Sequence, residues 1–333
     1  MRRLSGSYES PQRVARASTR GAVKLAIVFL AAALLAGCGS GQSDVQRTVY
    51  TRGLKHVSAF TFDGNGRLWV TVSGAESHSS DGVYVVERRG ATPRKIIGGL
   101  TAPLGLVWVR SRLIVSSLGR VTAFSGFDGT KFESRKVILD GPVAGGENNN
   151  VILAPNGRLV LGVSASCDHC VPSSKYSAAI VTFKPDGSDL RVYASRIRAA
   201  YGLAFVPGTS QLLASMNQRD DLGSKTPGDW LAVVRAGQNW GFPSCYGQCA
   251  GRPKPVGVLD AHAAAGGVAV LDAHTAVVAE WQLGKVLEVD LKTGRTSVYL
   301  DGFKNPLALL TTGNGSLLVG DWGSGVVYEV SKR

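Results

Sequence analysis

The sequence predicts an all-β protein, a six-bladed β-propeller built from four-stranded antiparallel blades. One hairpin pattern recurs six times along the chain: an apolar strand, a Gly, Asn or Asp turn, and a second apolar strand. Five copies share a leucine at the same place, with spacings of 45, 46, 53 and, across a degenerate copy, 105 residues: Leu68, Leu113, Leu159, Leu212 and Leu317. A period of roughly 40 to 50 residues with four strands per repeat is typical of propeller blades.

Each hairpin is followed by a third apolar strand, a second turn and a more polar outer strand. In the third repeat these segments are 179–183, 184–187 and 190–193. A polar outer edge suits blades arranged in a closed ring, because an isolated four-stranded sheet would leave both of its faces in water. A β-sandwich is the alternative, but sandwiches rarely repeat one hairpin pattern six times. No segment after residue 50 has the periodicity of a long amphipathic helix.

The first 37 residues do not follow this pattern. Six basic residues precede an apolar run from Leu25 to Gly37, which is short for a membrane span but typical of a signal peptide. The run ends in Leu35-Ala36-Gly37-Cys38, which resembles a bacterial lipobox, so we expect Cys38 to carry lipid. The predicted organisation is a signal peptide over 1–37, lipidated Cys38 and a linker over 38–50, and the propeller over 51–333. An ordinary signal peptide with a chance cysteine is the alternative.

This organisation predicts an exported protein, anchored by lipid to the outer face of the bacterial cell membrane or held in the periplasm. The whole chain has a net charge of +13, and the leader contributes six positive charges and one negative charge, so +8 remains without it. The basic residues are spread along the chain, with no Lys/Arg run interleaved with aromatic residues. This pattern excludes nucleic acid as a partner and favours an anionic cofactor or a negatively charged envelope surface.

Apart from Cys38, the chain has four cysteines in two local pairs, Cys167 with Cys170 and Cys245 with Cys249. In an exported protein we expect disulfides, either within each pair or between the two loops. A zinc site made by the four cysteines is the alternative, and an oxidising compartment favours the disulfides.

Three loops between the predicted blades are polar and unusual in composition: 145–150, 196–202 and 217–230. Each lies just before or after the innermost strand of one of the consecutive blades. Propellers bind ligands at one mouth of the central channel, on the loops that join blades. We therefore expect these three loops to face one another.

A series of motifs runs through the middle repeats. In order, they are Leu153-Ala154-Pro155-Asn156-Gly157-Arg158-Leu159, the Cys-x-x-Cys loop, Phe183-Lys184-Pro185-Asp186-Gly187-Ser188, Arg198-x-x-x-Gly202-Leu203-Ala204-Phe205-x-Pro207, Asn217-x-Arg219-Asp220, Pro227-x-Asp229 and Gly237-x-Asn239-Trp240-Gly241-Phe242-Pro243. In this order and spacing, the chain from about Asn148 to Gly247 resembles the soluble quinoprotein dehydrogenases of glucose and sorbosone. The other blades resemble that family only through the general repeat.

The resemblance implies a propeller that holds pyrroloquinoline quinone (PQQ) and calcium and oxidises the anomeric hydroxyl of a sugar or similar small molecule. A general base takes the hydroxyl proton, and an arginine stabilises negative charge on the quinone oxygen. Arg198 aligns with that catalytic arginine. The family's base is a histidine, and Gly146 or Glu147 stands at its place here, so Glu147 is our candidate base. The sequence does not identify the substrate or the electron acceptor.

The resemblance also implies ligands for the cofactors. Calcium binds oxygen atoms, including backbone carbonyls, so the turn formed by Gly241, Phe242 and Pro243 is a candidate calcium loop, with Gly241 and Pro243 as ligands. The candidate cofactor-binding residues are Asn148, Asn150, Asp220, Asp229, Lys285 and Lys304. We expect Arg198, Glu147 and Asp229 to converge on one mouth of the channel within about 10 Å of one another.

Several of these residues also have simpler interpretations. Glu147 could be solvated or bound to calcium. The run of three asparagines that follows it could form a turn. Arg198 could be a structural partner of Asp220 or Asp229 in an ion pair.

The function therefore has alternatives of other classes. A relic of sugar oxidation, a non-catalytic envelope propeller that binds carbohydrate or protein, and a calcium-dependent hydrolase of the lactonase type all fit the sequence. The lactonase alternative depends on Glu147 and its asparagine neighbours, because such hydrolases hold a channel calcium through Glu, Asn and Asp.

Overall fold

The structure is a computed structural model that describes residues 45–74, 77–141 and 147–332. Within these residues the chain forms six four-stranded antiparallel sheets, so the predicted six-bladed all-β propeller is confirmed. The predicted signal peptide and Cys38 lie outside the described residues. In the described part of the chain, the helical structure is a single 3-10 turn, Gly223–Lys225, and no helix is long and apolar enough to cross a membrane.

The first strand, β1 (Val45–Arg52), belongs to the last blade, and the remaining strands form the blades in chain order, from the axis outward. Blade 1 contains β2 (Val57–Phe62), β3 (Leu68–Val72), β4 (Gly82–Val86) and β5 (Arg94–Ile97). Blade 2 contains β6 (Gly105–Val109), β7 (Arg112–Ser117), β8 (Arg120–Phe127) and β9 (Phe132–Asp140). Blade 3 contains β10 (Asn148–Leu153), β11 (Leu159–Val163), β12 (Ala179–Phe183) and β13 (Arg191–Ser195).

The second half of the ring repeats the arrangement. Blade 4 contains β14 (Ala200–Phe205), β15 (Leu212–Met216), β16 (Gly228–Val234) and β17 (Gly257–Ala261). Blade 5 contains β18 (Ala265–Asp272), β19 (Thr275–Glu280), β20 (Lys285–Asp290) and β21 (Thr296–Leu300). Blade 6 contains β22 (Pro306–Thr311), β23 (Leu317–Asp321) and β24 (Val326–Lys332), and β1 is its outer strand.

The ring is closed by pairing between the two ends of the chain. β1 runs antiparallel to β24, with Val45 opposite Lys332 and Arg52 opposite Val326. The predicted linker over 38–50 therefore extends too far, and the propeller begins at Val45 instead of residue 51. The predicted start at residue 51 was wrong because no outer strand follows the sixth hairpin in the sequence. Only the closed ring shows that β1 is the outer strand of the sixth blade.

The repeat leucines anchor the core between the sheets. Each of the five lies on the second strand of its blade and is at most 1% exposed. The core is divided into clusters that join neighbouring blades, as when Leu106 of β6 packs with Val83 of β4. Burial of a large aliphatic side chain contributes about 1.5–3 kcal/mol, so each repeated hairpin is held by the blade beside it.

The innermost strands approach one another closely enough to require glycine at two positions. A Cβ atom on Gly105 of β6 would lie 2.6 Å from the backbone N of Val151 on β10. A Cβ atom on Gly202 of β14 would lie 2.5 Å from the carbonyl oxygen of Gly266 on β18. Side chains at these positions would force the blades apart, because Cβ atoms do not approach backbone atoms this closely.

We call the end of the ring where the innermost strands begin the upper face, and the opposite end the lower face. Because successive strands alternate in direction, two sets of loops lie at the upper face: those that precede each innermost strand and those between the second and third strands. The turns between the first and second strands, and between the third and fourth strands, lie at the lower face. The long connection between β16 and β17 is the exception, because it returns to the upper end of the ring, where Asn239 pairs with Ser195.

A chain that begins at Gly53 lacks β1, and we expect it to be less stable than a chain that begins at Val45. The loss of β1 leaves β24 as an unpaired edge strand. It also removes Tyr50, which is 8% exposed and whose burial contributes on the order of 2 kcal/mol to stability. The midpoint of thermal unfolding, followed by circular dichroism, should fall by several degrees. Equal midpoints for the two chains would contradict this role of β1.

Candidate functional site

The mouth of the channel at the upper face holds a cavity of about 520 Å³, a size typical of small-molecule sites. Glu147, which precedes β10, and Arg198, which precedes β14, both line it. The loop between β11 and β12 contributes Asp168, and the loop after β15 contributes Asn217. The polar loops singled out in the sequence therefore do meet at one mouth, although Gly145 and Gly146 lie outside the described residues.

Arg198 is held between two of these loops and is only 18% exposed. Its Nη2 donates a hydrogen bond to the Asp168 carboxylate, and its Nη1 donates to the carbonyl oxygen of Asn217 at 3.2 Å. Its Nε is buried without a partner in the described part of the chain. A buried donor without an acceptor typically costs about 1–3 kcal/mol. An acceptor on a bound ligand would remove that cost.

The ion pair of Arg198 differs from the one that the sequence suggested. Its carboxylate partner is Asp168, and neither Asp220 nor Asp229 forms an ion pair with it. Asp168 was missed because the segment around it was interpreted only as a disulfide loop. An acidic residue enclosed by two bonded cysteines, on a loop of the predicted ligand mouth, is the signal that could have identified it.

Glu147 is the second charged residue of the cavity that was predicted from the sequence. It keeps exposed surface, yet the channel walls remove part of its hydration, and this desolvation raises the pKa of its carboxyl. The Arg198 guanidinium acts in the opposite direction and lowers that pKa. A carboxyl whose pKa is raised towards neutrality can accept a proton and release it again.

Tyr201 lies beneath this pair and crosses the channel. Its hydroxyl donates to the carbonyl oxygen of Ser58 at 3.4 Å, from β14 in blade 4 to β2 in the opposite blade 1. Burial raises the pKa of the phenol, and the negative charge of Glu147 raises it further, so the hydroxyl keeps its proton. The side chain of Tyr201 therefore narrows the channel below the cavity, and the cavity opens towards the upper face.

The three asparagines after Glu147 form the start of β10, so the interpretation as a turn is wrong. Asn148 is fully buried, and its Nδ2 donates to the carbonyl oxygen of Ser117 in blade 2 at 2.9 Å. The Nδ2 of Asn149 donates to the carbonyl oxygen of Ala200 in blade 4, also at 2.9 Å. Both side chains thus join neighbouring blades, while Asn150 lines the channel further down.

Asp229 joins two blades rather than lining the cavity. Its carboxylate accepts hydrogen bonds from the backbone N–H groups of Gln218 at 2.7 Å and Ala265 at 2.9 Å. Burial raises the pKa of this carboxyl to about 6, against the effect of those hydrogen bonds. Asp321, at the end of β23, instead accepts from the backbone of Lys304 and Asn305 and so fixes the loop that leads into its own blade. The structure thus gives Asp229 a role in joining blades 4 and 5, and its contact with a cofactor stays a prediction.

The other predicted cofactor residues lie on the upper face but do not line the cavity. Asp220 is bonded to Nδ1 of His262 at 3.1 Å. Lys285 donates to the carboxylate of Asp260 at 2.5 Å and lies 3.4 Å from that of Glu280. Lys304 is exposed on the loop before β22. These residues were predicted to bind the cofactor from their positions in the sequence. Sequence position does not show which side of a loop faces the channel axis.

The predicted calcium loop lies beside the cavity. The carbonyl oxygen of Gly241 accepts the backbone N–H of Cys245 at 2.9 Å, and the side chains of Phe242 and Pro243 line a small adjoining cleft with Arg198. Within the described residues, no group of three or more His, Cys, Asp and Glu side chains is placed to hold a metal ion.

Both cysteine pairs form disulfides within themselves, Cys167 with Cys170 and Cys245 with Cys249. The pairing between loops and the four-cysteine zinc site are therefore wrong. The first disulfide closes the loop that carries Asp168, the partner of Arg198. The next residue, His169, lies 3.0 Å from Asp221, so this loop is also tied to the neighbouring loop of blade 4.

Comparison with solved structures identifies proteins with the same architecture. The PQQ-bound aldose sugar dehydrogenase from Streptomyces coelicolor superposes with a TM-score of 0.72 at 17% identity, over 87% of this chain and 99% of that one. The apo-form of the soluble aldose sugar dehydrogenase from Escherichia coli gives 0.71 at 15% identity, over 87% and 100%. This chain has the fold of the sugar dehydrogenases.

A third similar structure is the calcium structure of a Trichoderma reesei carbohydrate-active enzyme of family AA12. It has a TM-score of 0.71 at 14% identity, over 87% of this chain and 96% of that one. No protein-family model matches the sequence, and no curated protein sequence matches it. At these identities the comparisons confirm the shared fold that the motifs predicted.

Replacing Arg198 by Gln should raise the pKa of the Glu147 carboxyl further, because it removes the positive charge that lowers this pKa. Carbon-13 NMR titration of carboxyl-labelled glutamate measures the change directly. Lys225→Gln is the control, since it removes one charge from an exposed residue of another upper loop. An unchanged Glu147 pKa in the Arg198 variant would show that the two groups do not interact.

Asp229 should make stability depend on pH in a defined direction. Its folded-state pKa of about 6 lies above the value of an unfolded aspartate, so the folded state binds the proton more tightly. As pH rises from about 4 to 6, the stability of the wild type should fall relative to Asp229→Asn by roughly 2–3 kcal/mol. Urea unfolding of both proteins across this range measures the difference, and a constant difference would contradict the assignment.

Proposed function

We propose that this chain is a quinoprotein that binds PQQ at the upper mouth and oxidises a hydroxyl group of a sugar, or a relic of such an enzyme. One observation carries the proposal: Arg198, with an unpartnered buried Nε, faces the same cavity as Glu147, whose pKa is raised. The fold supports it, because structures with this architecture include PQQ-bound sugar dehydrogenases.

The residues present fit the reactive end of PQQ better than its carboxylate end. The free Nε–H of Arg198 suits a quinone oxygen, and the cavity is open to the upper face. Lys285 and Lys304, proposed from the sequence as partners for the PQQ carboxylates, are outside the cavity lining. We therefore assign only Arg198 and Glu147 to the site. When bound, PQQ supplies the acceptor for a hydride from the sugar carbon.

The two residues have complementary roles in such a reaction. A carboxylate oxygen of Glu147 accepts the proton of the sugar hydroxyl as the carbon loses hydride, and the substrate becomes a carbonyl compound. Arg198 donates hydrogen bonds to the oxygen that gains negative charge, and Asp168 holds the guanidinium in place. Tyr201 keeps its proton and narrows the channel below, so substrate and product exchange through the upper face.

A calcium-dependent hydrolase of the lactonase type is a second candidate, and one observation favours it. The Oδ1 of Asn217 is buried without a partner in the described part of the chain, and Asn217 lines the same cavity as Glu147. Carboxylate and amide oxygens are the ligands that calcium prefers. A calcium ion held there would polarise the carbonyl group of a lactone.

We also propose that the protein is exported and anchored by lipid on Cys38 at the outer face of the cell membrane. The lipobox-like sequence supports this, and so does the start of the propeller at Val45, only a short way after Cys38. An exported location also suits the two disulfides, because oxidising compartments preserve them.

The purified protein should be titrated with PQQ in the presence of calcium, with tryptophan fluorescence as the measure of binding and dye reduction with a panel of aldoses as the measure of activity. If an aldose is oxidised, Arg198→Gln should lower kcat/KM by about 10²–10³, and Glu147→Gln by about 10²–10⁴. Lys225→Gln, which removes an exposed charge on the same face, should leave both measurements unchanged.

Binding of PQQ without turnover would indicate a relic of the enzyme. Absence of PQQ binding would exclude the quinoprotein assignment, and calcium-dependent hydrolysis of lactones would then support the second candidate. If neither cofactor has an effect, the remaining interpretation is a propeller that binds carbohydrate or protein without catalysis.

A further inference from the structure

The chain enters the propeller at the face opposite the candidate site. β1 is antiparallel to β24, and its first residue, Val45, lies opposite Lys332 at the lower end of β24. Six residues, 39–44, separate Cys38 from Val45. An extended chain spans at most about 3.5 Å per residue, so the seven-residue step from Cys38 to Val45 covers at most about 25 Å. A lipid on Cys38 would therefore hold the lower face close to the bilayer.

The two faces differ in charge. Among the described residues of the loops and of the strand ends that border them, without the long connection between β16 and β17, the lower face carries 13 Lys and Arg residues against seven Asp and Glu residues. The upper face carries ten Lys and Arg residues against nine Asp and Glu residues. The positive surplus of the propeller is thus concentrated on the face where the chain enters. Such a distribution attracts anionic surfaces.

Part of this charge surrounds a groove between blades 2 and 3. The groove has a volume of about 410 Å³. It is lined by Arg110 in the turn between β6 and β7, by Arg112 at the start of β7, and by Lys184, which follows β12. None of these three side chains forms an ion pair within the described residues. Leu153, which is 39% exposed, supplies an apolar wall.

One acidic residue also lines the groove, and it is already engaged. The Asp186 carboxylate accepts hydrogen bonds from the backbone N–H of Ser188 at 2.9 Å and from its hydroxyl at 2.7 Å. Three cations around one carboxylate leave the groove positive. Arginine binds phosphate through two parallel hydrogen bonds and lysine as a point charge, so the groove suits a phosphate group attached to an apolar chain.

We propose that the lower face docks on a bilayer that contains anionic phospholipid, with phosphate headgroups in the groove of Arg110, Arg112 and Lys184. The position of the lipid anchor, itself a proposal, brings this face to the membrane, and the candidate site at the upper mouth then faces away from it. The attraction of the face for anionic lipid does not require the acyl chain, because the basic residues belong to the propeller.

Vesicle sedimentation tests this proposal with a chain that begins at Gln42, since the closed ring of residues 45–332 lies within the compact unit Gln42–Arg333. The protein should bind vesicles of phosphatidylcholine with one quarter phosphatidylglycerol and not vesicles of phosphatidylcholine alone. High salt should abolish the binding, because electrostatic attraction is screened.

Variants then locate the binding face. Each basic residue near an anionic bilayer typically strengthens binding about fivefold, so the triple variant Arg110→Ser, Arg112→Ser and Lys184→Ser should bind about a hundredfold more weakly. The matched control is Lys55→Ser, Lys175→Ser and Lys225→Ser, which removes three exposed charges from the upper face and should bind like the wild type.

Three results would overturn the proposal: equal binding to neutral vesicles, equal weakening by the two triple variants, and tighter binding to duplex DNA than to the anionic vesicles. PQQ titration of the same proteins keeps the two proposals separate. Loss of anionic-lipid binding with PQQ uptake intact rejects only the docking face, and retained lipid binding without PQQ uptake rejects only the quinoprotein.

Discussion

Closure of the ring is the constraint on which the rest of the structure depends. Four-stranded blades cannot bury both of their faces alone, and each is covered by its neighbours only if the last blade meets the first. The pairing of β1 with β24 makes that contact, since it joins the two ends of the described chain in one sheet. Once the ring is closed, the innermost strands share one axis, and loops far apart in the sequence meet at its upper end.

Acidic residues near this mouth have two distinct roles, and the role of each residue follows from the group with which it forms hydrogen bonds. Asp229 accepts a hydrogen bond from the backbone of the following blade, and Asp321 accepts one from the loop that precedes its own blade, so both fix the ring. Asp168 instead holds the guanidinium of Arg198, and the side-chain carboxylate of Glu147 has no hydrogen-bond partner within the described residues. The carboxylates that stabilise the architecture are thereby distinct from the one that is available for chemistry.

The same topology gives the two faces of the propeller different loops and different charge. The upper end of the ring carries both disulfides, one on the loop between β11 and β12 and one on the long connection between β16 and β17, whereas the lower face consists mainly of short turns. The turns of the lower face carry the excess of basic over acidic residues. The chain that follows the predicted lipid anchor enters the propeller at this face. An anchored propeller with this arrangement would keep its cavity open to the medium, where a soluble substrate arrives.

The sequence by itself determined the fold, because a hairpin repeated six times, with a core leucine in five of the copies, leaves few other ways to bury those side chains. It also selected Arg198 and Glu147, since the family motifs mark the loops that carry them. It did not show that residues 45–50 complete the sixth blade, that Asp168 pairs with Arg198 or that Asp229 joins two blades. Those contacts link segments distant along the chain, and periodicity reports only local spacing. Only the closed tertiary structure decides which side chains turn towards the axis and which satisfy the backbone of a neighbouring blade, because both orientations fit the same sequence pattern.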